Sequence, residues 1–307
     1  MRIIFMGTPE FAVPVLDALA NSEHEIVAVI SQPDREKDKK GNLLATPVKQ
    51  YAEEHSLDCL QFDKVSAHVS QLRGLNPDAI VTAAYGQLLS AEVLQTPRLG
   101  VLNVHASLLP AYRGSSPIQS AILCGEKVTG VTIMKTELSM DTGDILSKRE
   151  IAIDERDTAE TLSHKLSKLG ASLLLEVLEK YGRNEITPRK QDDSKATYCK
   201  KITKADGLID WSASASEICC KIRAYYPWPV AYAYLCGTPL KIYEANISEN
   251  SFGESGLVTV KGNEMYVSCG SGSIKVKRMQ LPGKKVLPAE EFLRGRNIPE
   301  GCVLKNA

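Results

Sequence analysis

Neither sign of charge prevails in this sequence, 37 basic side chains standing against 37 acidic ones, so the overall balance neither demands nor forbids a polyanionic partner. Its eight cysteines, Cys59, Cys124, Cys199, Cys219, Cys220, Cys236, Cys269 and Cys302, form no CxxC pair and no His/Cys metal spacing. They read as reduced thiols of an intracellular protein, and no metal is expected. No secretory leader is evident, and no apolar run approaches the roughly 20 residues that a membrane helix needs. Gly7, the single glycine after the first apolar run, lacks the GxGxxG spacing that brings a pyrophosphate against a helix N-terminus, which argues against a dinucleotide cofactor. Internal repeats and low-complexity tracts are also missing. What these absences leave is a cytoplasmic enzyme with 43% hydrophobic and 24% charged residues, ample for a core.

The even balance hides an asymmetry. Residues 1–179 carry 17 basic and 24 acidic side chains, residues 180–204 carry 8 and 3, and the remainder 12 and 10. Positive charge therefore gathers at a junction, where it reads either as a grip on a phosphate backbone or as a solvated lysine-rich linker.

The opening RIIFMGTPEFAVPVLDALANSEHEIVAVIS reads as a buried strand, a turn, an amphipathic helix and a second β-branched strand. Apolar runs at Ala79–Ala84, Val101–Val104 and Val131–Met134 alternate with helix-like stretches near Pro47–His55, Ala91–Leu94 and Pro117–Leu123. This predicts an α/β fold, a Rossmann-like open and mostly parallel sheet. A long helix over about Thr158–Tyr181 places Leu162, Leu166, Leu169, Leu173, Leu174 and Val177 on one face. The boundaries expected are a first domain over 1–181, a basic linker over 182–204 and a β-rich domain over 205–307. In the last, short segments such as VAYAYL, LKIYEA and SIKVKRM predict a small barrel or curled sheet.

Chemistry concentrates in GVLNVHASLLPAYRGSSPI. Asn103 and His105 lie two apart, so on an extended backbone they leave the same face of a strand. The C-terminal end of a strand in an open parallel sheet is where ligands bind. Ser107-Leu108-Leu109-Pro110 reads as an irregular turn, Arg113-Gly114 as a bend and Pro117 as a first helical residue. Alone, His105 also reads as a satisfied core histidine and Asn103 as a turn-former. Asp141, in a tight MDTGD turn between two apolar strands, adds a carboxylate able to orient an imidazole, though by itself it is equally a turn aspartate.

Asn103, His105 and Asp141 together with SLLPAYRG resemble the signature of the folate-dependent formyltransferases, and the likeness runs nearly end to end. FMGTPEFAVPVL, QPDR, TPVK, AAYGQLL, NVHASLLPAYRGSSPIQ, TGVTIM and MDTGDIL follow in the family's order, and IDWS and IRAYYPWP match its C-terminal domain, a small OB-like β-barrel. The resemblance implies Asn103, His105 and Asp141 as catalytic residues. It implies that Ser107, Leu108, Leu109, Pro110 and the Tyr85, Gly86, Gln87, Leu88 segment border a folate pocket. The donor implied is 10-formyltetrahydrofolate. The acceptor that the resemblance implies is the amino group of methionine on initiator tRNA, and a monomer is expected.

The acceptor rests on the flanks, because the same core also serves enzymes that formylate amino-sugar nucleotides. The insert QPDREKDKKGNLLATPVK is polar and lysine-rich, as expected of a mobile loop reaching a tRNA acceptor stem. Where the family carries an arginine-glycine-lysine-lysine run, this chain has Lys39, Lys40, Gly41 and Asn42, and lysine does not reproduce a bidentate arginine contact. Arg35, Lys39 and Lys40 in the insert and Lys200, Lys201 and Lys204 at the junction are the candidate tRNA-binding cations. A sugar-nucleotide formyltransferase and a non-catalytic nucleic-acid-binding relative are the alternatives.

Overall fold

The computed structural model describes residues 1–38, 40–248, 250, 253–296 and 298–305. Its contacts divide the chain into two units: Met1–Pro117, Val128–Ala152 and Ser163–Cys199 in the first, Ile118–Lys127, Ile153–Leu162 and Lys200–Ala307 in the second.

The first unit is built on a seven-stranded sheet. Five strands run parallel: β1 (Arg2–Gly7), β2 (Glu25–Ser31), β3 (Cys59–Gln61), β4 (Ala79–Ala83) and β5 (Val101–His105). Past the two-residue strand β6 (Arg113–Gly114), β7 (Val128–Lys135) and β8 (Ile145–Ala152) add to the β5 edge antiparallel, giving the order β3-β2-β1-β4-β5-β7-β8. Ile3, Ile4, Phe5 and Met6 of β1 are all fully buried, as befits a central strand covered on both faces. The order reverses between β1 and β4, and the loops that leave the C-terminal ends of the parallel strands gather at that point.

Helices α1 (Val13–Ala20), α2 (Pro47–Glu54), α3 (Val69–Gly74), α4 (Ala91–Leu94) and α5 (Pro117–Leu123) precede the 24-residue α6 (Ala159–Gly182). Thr46 caps α2 by accepting from the Lys49 amide, with Pro47 as its first residue. Helix α6 buries Leu166, Leu173, Leu174 and Val177, whereas Leu169 is half-buried. The close contact falls instead on Gly170, where a Cβ would stand 2.7 Å from Val104 Cγ1 and 3.2 Å from Val131 Cγ1. Strand alternation does the rest. Val104 of β5 meets α6, and its neighbours Asn103 and His105 face the other way.

The C-terminal unit holds α7 (Ala215–Ala224), whose N-terminus is a capping box of Ser214 and Glu217. The strands are β10 (Ala231–Leu235), β11 (Thr238–Ser248), β12 (Val258–Lys261), β13 (Glu264–Ser268) and β14 (Ser273–Gln280), after the short β9 (Tyr198–Cys199) of the first unit. They pair antiparallel in the order β10-β11-β14-β13-β12, and the short β15 (Leu287–Pro288) pairs β14 ahead of α8 (Ala289–Arg294). Residues 302–305 then bridge the two edges. Lys305 exchanges both backbone hydrogen bonds with Tyr234 of β10, and Val258 N–H of β12 donates to Cys302. The curled sheet thereby closes into a barrel around Trp211, Leu240, Met265, Ile274 and Met279. No helix among the described residues is long and apolar enough to cross a membrane.

Because Val104 and Val131 are stiff at χ1 and buried, Gly170→Leu has nowhere to put its side chain. It is expected to lower stability by about 1–3 kcal/mol, read from denaturant unfolding.

Candidate active site

Asn103 and His105 stand at the C-terminal end of β5, on the face away from α6. Asn103 lies beside Thr82 in the β4–β5 register, and Thr82 Oγ1 donates to Asn103 Oδ1 at 2.9 Å. Once the amide oxygen is engaged, the group presents its NH2 outward, and Nδ2 has no acceptor among the described residues. A side chain that also reads as a turn-former is thus a pure hydrogen-bond donor at its free end.

His105 is 6% exposed. Its Nε2 lies 3.1 Å from the Tyr112 carbonyl oxygen, which can only accept, so Nε2 carries the proton in the neutral ring. The basic nitrogen is then Nδ1, and it faces Asp141 Oδ1 at 3.7 Å. That separation is too long for a direct hydrogen bond but short for an attraction between charges once the ring is protonated. The other carboxylate oxygen, Oδ2, accepts from the Gly114 amide at 2.8 Å. One oxygen fixes the carboxylate to the backbone and the other addresses the imidazole.

The backbone around this pair is unusual. Tyr112 and Asp141 both adopt left-handed conformations, with φ of 58° and 54°. Such positions persist only where the surroundings hold them. At Gly143, two residues past Asp141, a Cβ would fall 1.9 Å from the Lys135 carbonyl oxygen, so glycine is required to close the turn.

The Ser107–Pro110 turn is fastened from below by Thr132, the β7 residue paired with His105. Its hydroxyl donates to Ser107 O at 2.7 Å and accepts from Leu109 N at 3.1 Å. Ser107 and Leu109 are fully buried, the Ser107 hydroxyl being used on Ala111 O at 2.6 Å. Leu108 and Pro110 remain half-buried. Four strand ends meet at the other segment: the Tyr85 carbonyl accepts from Thr8 Oγ1 and Gln32 Nε2, while Gln87 donates to Phe62 O and accepts from the Val65 amide. Tyr85 itself is buried with an unpartnered hydroxyl, and desolvation pushes its phenol up to about 12. Gly86 turns the chain with φ of 84°, and Leu88 projects outward, 75% exposed.

The candidate cations are at the surface, apart from Lys39, which lies outside the described residues. Arg35, Lys40, Lys201 and Lys204 are exposed. Lys200 pairs with Asp206 at 2.9 Å, and that ammonium leads the hydrogen bonds that hold the Asp206 carboxyl down to about 2. The insert has local order of its own: Asp38 accepts from the amides of Lys40 and Asn42, and Lys37 bridges Leu43.

Sequence reasoning missed Thr82, Thr132 and Gln191, whose amide donates to Asp141 O and Gly143 O. Each acts through a partner more than 20 residues away, and no local pattern marks it. Arg113-Gly114, expected as a bend, is instead the short strand β6 paired parallel with β9, and the Arg113 side chain is buried.

Residues 1–178 match the family described as Formyl transferase, and residues 201–297 match Formyl transferase, C-terminal domain. The chain is 44% identical over 309 residues to the methionyl-tRNA formyltransferase of Caldanaerobacter subterraneus subsp. tengcongensis, covering 99% of this chain and 100% of that one. Among solved structures, HypX from Aquifex aeolicus in complex with tetrahydrofolic acid aligns with a TM-score of 0.66 and 18% identity over 95% of this chain and 47% of its own. Methionyl-tRNA formyltransferase from Clostridium thermocellum aligns with 0.58 and 16% over 92% and 98%. At such identities the structural likeness concerns the fold.

Thr132→Val keeps the shape but removes both of the Thr132 bonds to the turn and leaves the Leu109 amide buried without the Thr132 acceptor. The expected cost is about 1–3 kcal/mol in unfolding experiments, accompanied by faster hydrogen exchange at Leu109.

Proposed function

This chain belongs to the formyl transferase family, and on that premise we propose that it moves the formyl group of 10-formyltetrahydrofolate to the amino group of methionine carried on initiator tRNA. The observation that carries the reading is the pairing at the end of β5: an amide whose donors point outward next to an imidazole whose basic nitrogen faces a carboxylate.

The chemistry follows from those groups. The neutral amine attacks the formyl carbon, forming a C–N bond and placing negative charge on the formyl oxygen. Asn103 Nδ2 donates to that oxygen, a kind of contact whose removal costs roughly 10²- to 10³-fold. The amine nitrogen sheds a proton, which His105 takes at Nδ1, and the Asp141 carboxylate stabilises the resulting imidazolium. When the tetrahedral centre collapses, the bond to the folate nitrogen breaks and that nitrogen receives a proton, leaving tetrahydrofolate. No metal is needed for these steps.

The donor's ring is read as lying against the Ser107–Pro110 turn and the Tyr85–Leu88 segment, where Leu88 and the half-buried Leu108 and Pro110 offer apolar surface to a flat heterocycle. We assign residues 1–181 to catalysis, 182–204 to a basic linker and 205–307 to a tRNA-binding barrel. Of the cations, Arg35, Lys40, Lys201 and Lys204 are exposed and suited to phosphates. Lys39 and Lys200 complete the set, the latter, itself exposed, by exchanging its Asp206 partner for a phosphate. A relative of matching length that bears the methionyl-tRNA name supports the tRNA acceptor over an amino-sugar nucleotide.

Asn103→Ala and His105→Ala are each expected to lower kcat by at least about 10²-fold while donor binding survives, measured as formyl transfer to methionyl-tRNA. Normal turnover in both variants overturns the mechanism. Lys201→Glu with Lys204→Glu is expected to raise KM for tRNA, to leave kcat in place and to flatten the salt dependence by roughly one unit of log–log slope for each phosphate no longer neutralised. Turnover indifferent to salt would instead point to a small acceptor.

A further inference from the structure

The turn that presents Asp141 is held from a distance. Asp141 has a left-handed backbone, and Gly143 sits against the Lys135 carbonyl with no room for a side chain. Gln191 clamps this turn at two points, its Nε2 donating to Asp141 O and to Gly143 O, both at 2.8 Å. Its Oε1 is fixed in turn by Arg113, accepting from Nε at 3.0 Å and from Nη2 at 2.8 Å. An amide that uses its oxygen and both amide protons in this way has one orientation.

Arg113 is a firm anchor. Its side chain is 2% exposed, and its guanidinium also donates to Asp193 at 2.7 Å and to the Tyr198 hydroxyl at 3.3 Å. Burial opposes the charge, but the bonds to Asp193 and Tyr198 outweigh it and hold the group above its ordinary value. The next residue along, Gly114, supplies the amide that binds Asp141 Oδ2. The Arg113-Gly114 strand and Gln191 thus grip the same aspartate, one through its side chain and the other through its backbone.

We propose that Gln191 is a positioning residue for formyl transfer: from within a segment whose charge reads as a tRNA linker, it sets the angle at which Asp141 Oδ1 meets His105 Nδ1. The proposal rests on the reading of Asp141 as the partner of His105. Release of the two carbonyls lets the turn rotate about its left-handed residue, and the carboxylate then pivots on the Gly114 amide away from the imidazole. Gln191 needs no contact with either substrate to matter.

The diagnostic variant is Gln191→Glu. It is nearly isosteric and keeps the oxygen that accepts from Arg113, so the buried guanidinium stays paired, but it replaces the amide donor with a second carboxylate oxygen that repels the Asp141 and Gly143 carbonyls. Gln191→Glu and Gln191→Ala are both expected to lower kcat by about 10- to 100-fold with KM for tRNA and folate unchanged. The pH profile of kcat should move in the same direction as in Asp141→Asn. In an Asp141→Asn background, adding Gln191→Glu is expected to cost little more. Full kcat in Gln191→Glu, or an undiminished loss on top of Asp141→Asn, overturns the positioning role. Full activity in Asp141→Asn alone overturns the site reading itself, so the two failures are told apart. Circular dichroism and thermal unfolding of Gln191→Glu separate a misplaced carboxylate from a misfolded chain.

Discussion

A single hydrogen bond, from His105 Nε2 to the carbonyl of Tyr112, decides what the rest of the site can do. By fixing the proton on one ring nitrogen it makes the other the base and turns that base toward Asp141. The neighbouring structure serves this choice. Tyr112 takes a left-handed backbone that presents its carbonyl, Thr132 fastens the turn that leads to it, and the strand that follows supplies the amide for the carboxylate. In the proposed transfer, each of these parts holds a dipole in place before any substrate arrives, which is the condition for electrostatic stabilisation of a charge that forms only during reaction.

Much of this was legible in the sequence because it depends on short periods. The two-residue spacing of Asn103 and His105 announces a shared face, and Val104 between them packs on α6 as the alternation requires. The apolar runs at Ala79–Ala84 and Val101–Val104 correspond to β4 and β5, and the expected helix over Thr158–Tyr181 to α6 over Ala159–Gly182. What stayed hidden depends on long range. Thr82, Thr132 and Gln191 are ordinary polar residues whose partners lie 20 to 50 positions away, and nothing local distinguishes them from solvated ones. Gln191 was further masked by its setting, since lysines and arginines around it direct attention to charge. The division by contacts is another case: Ile118–Lys127 and Ile153–Leu162 group with the C-terminal residues, a grouping that linear composition does not contain.

The barrel illustrates a related limit. Its short β-rich segments predict a curled sheet, yet closure depends on a few backbone hydrogen bonds from residues 302–305, too brief a stretch to register as a strand. Those bonds remove both free edges of the sheet, which would otherwise invite pairing with another chain. In the first unit, β7 and β8 follow antiparallel after five parallel strands, so β7 ends beside Leu102 at the start of β5, and the residues between β7 and β8 return to set Asp141 3.7 Å from His105 at its other end.

Closure by residues 302–305 also orders events in time. Chains are made from the N-terminus, and domains generally fold as units while synthesis proceeds. Every strand of the first unit has been made by Cys199, whereas the last hydrogen bonds of the barrel await residues more than a hundred positions later. A nascent chain therefore holds a completed seven-stranded sheet while the C-terminal sheet still has open edges, and the second stays exposed to pairing with another chain until synthesis ends.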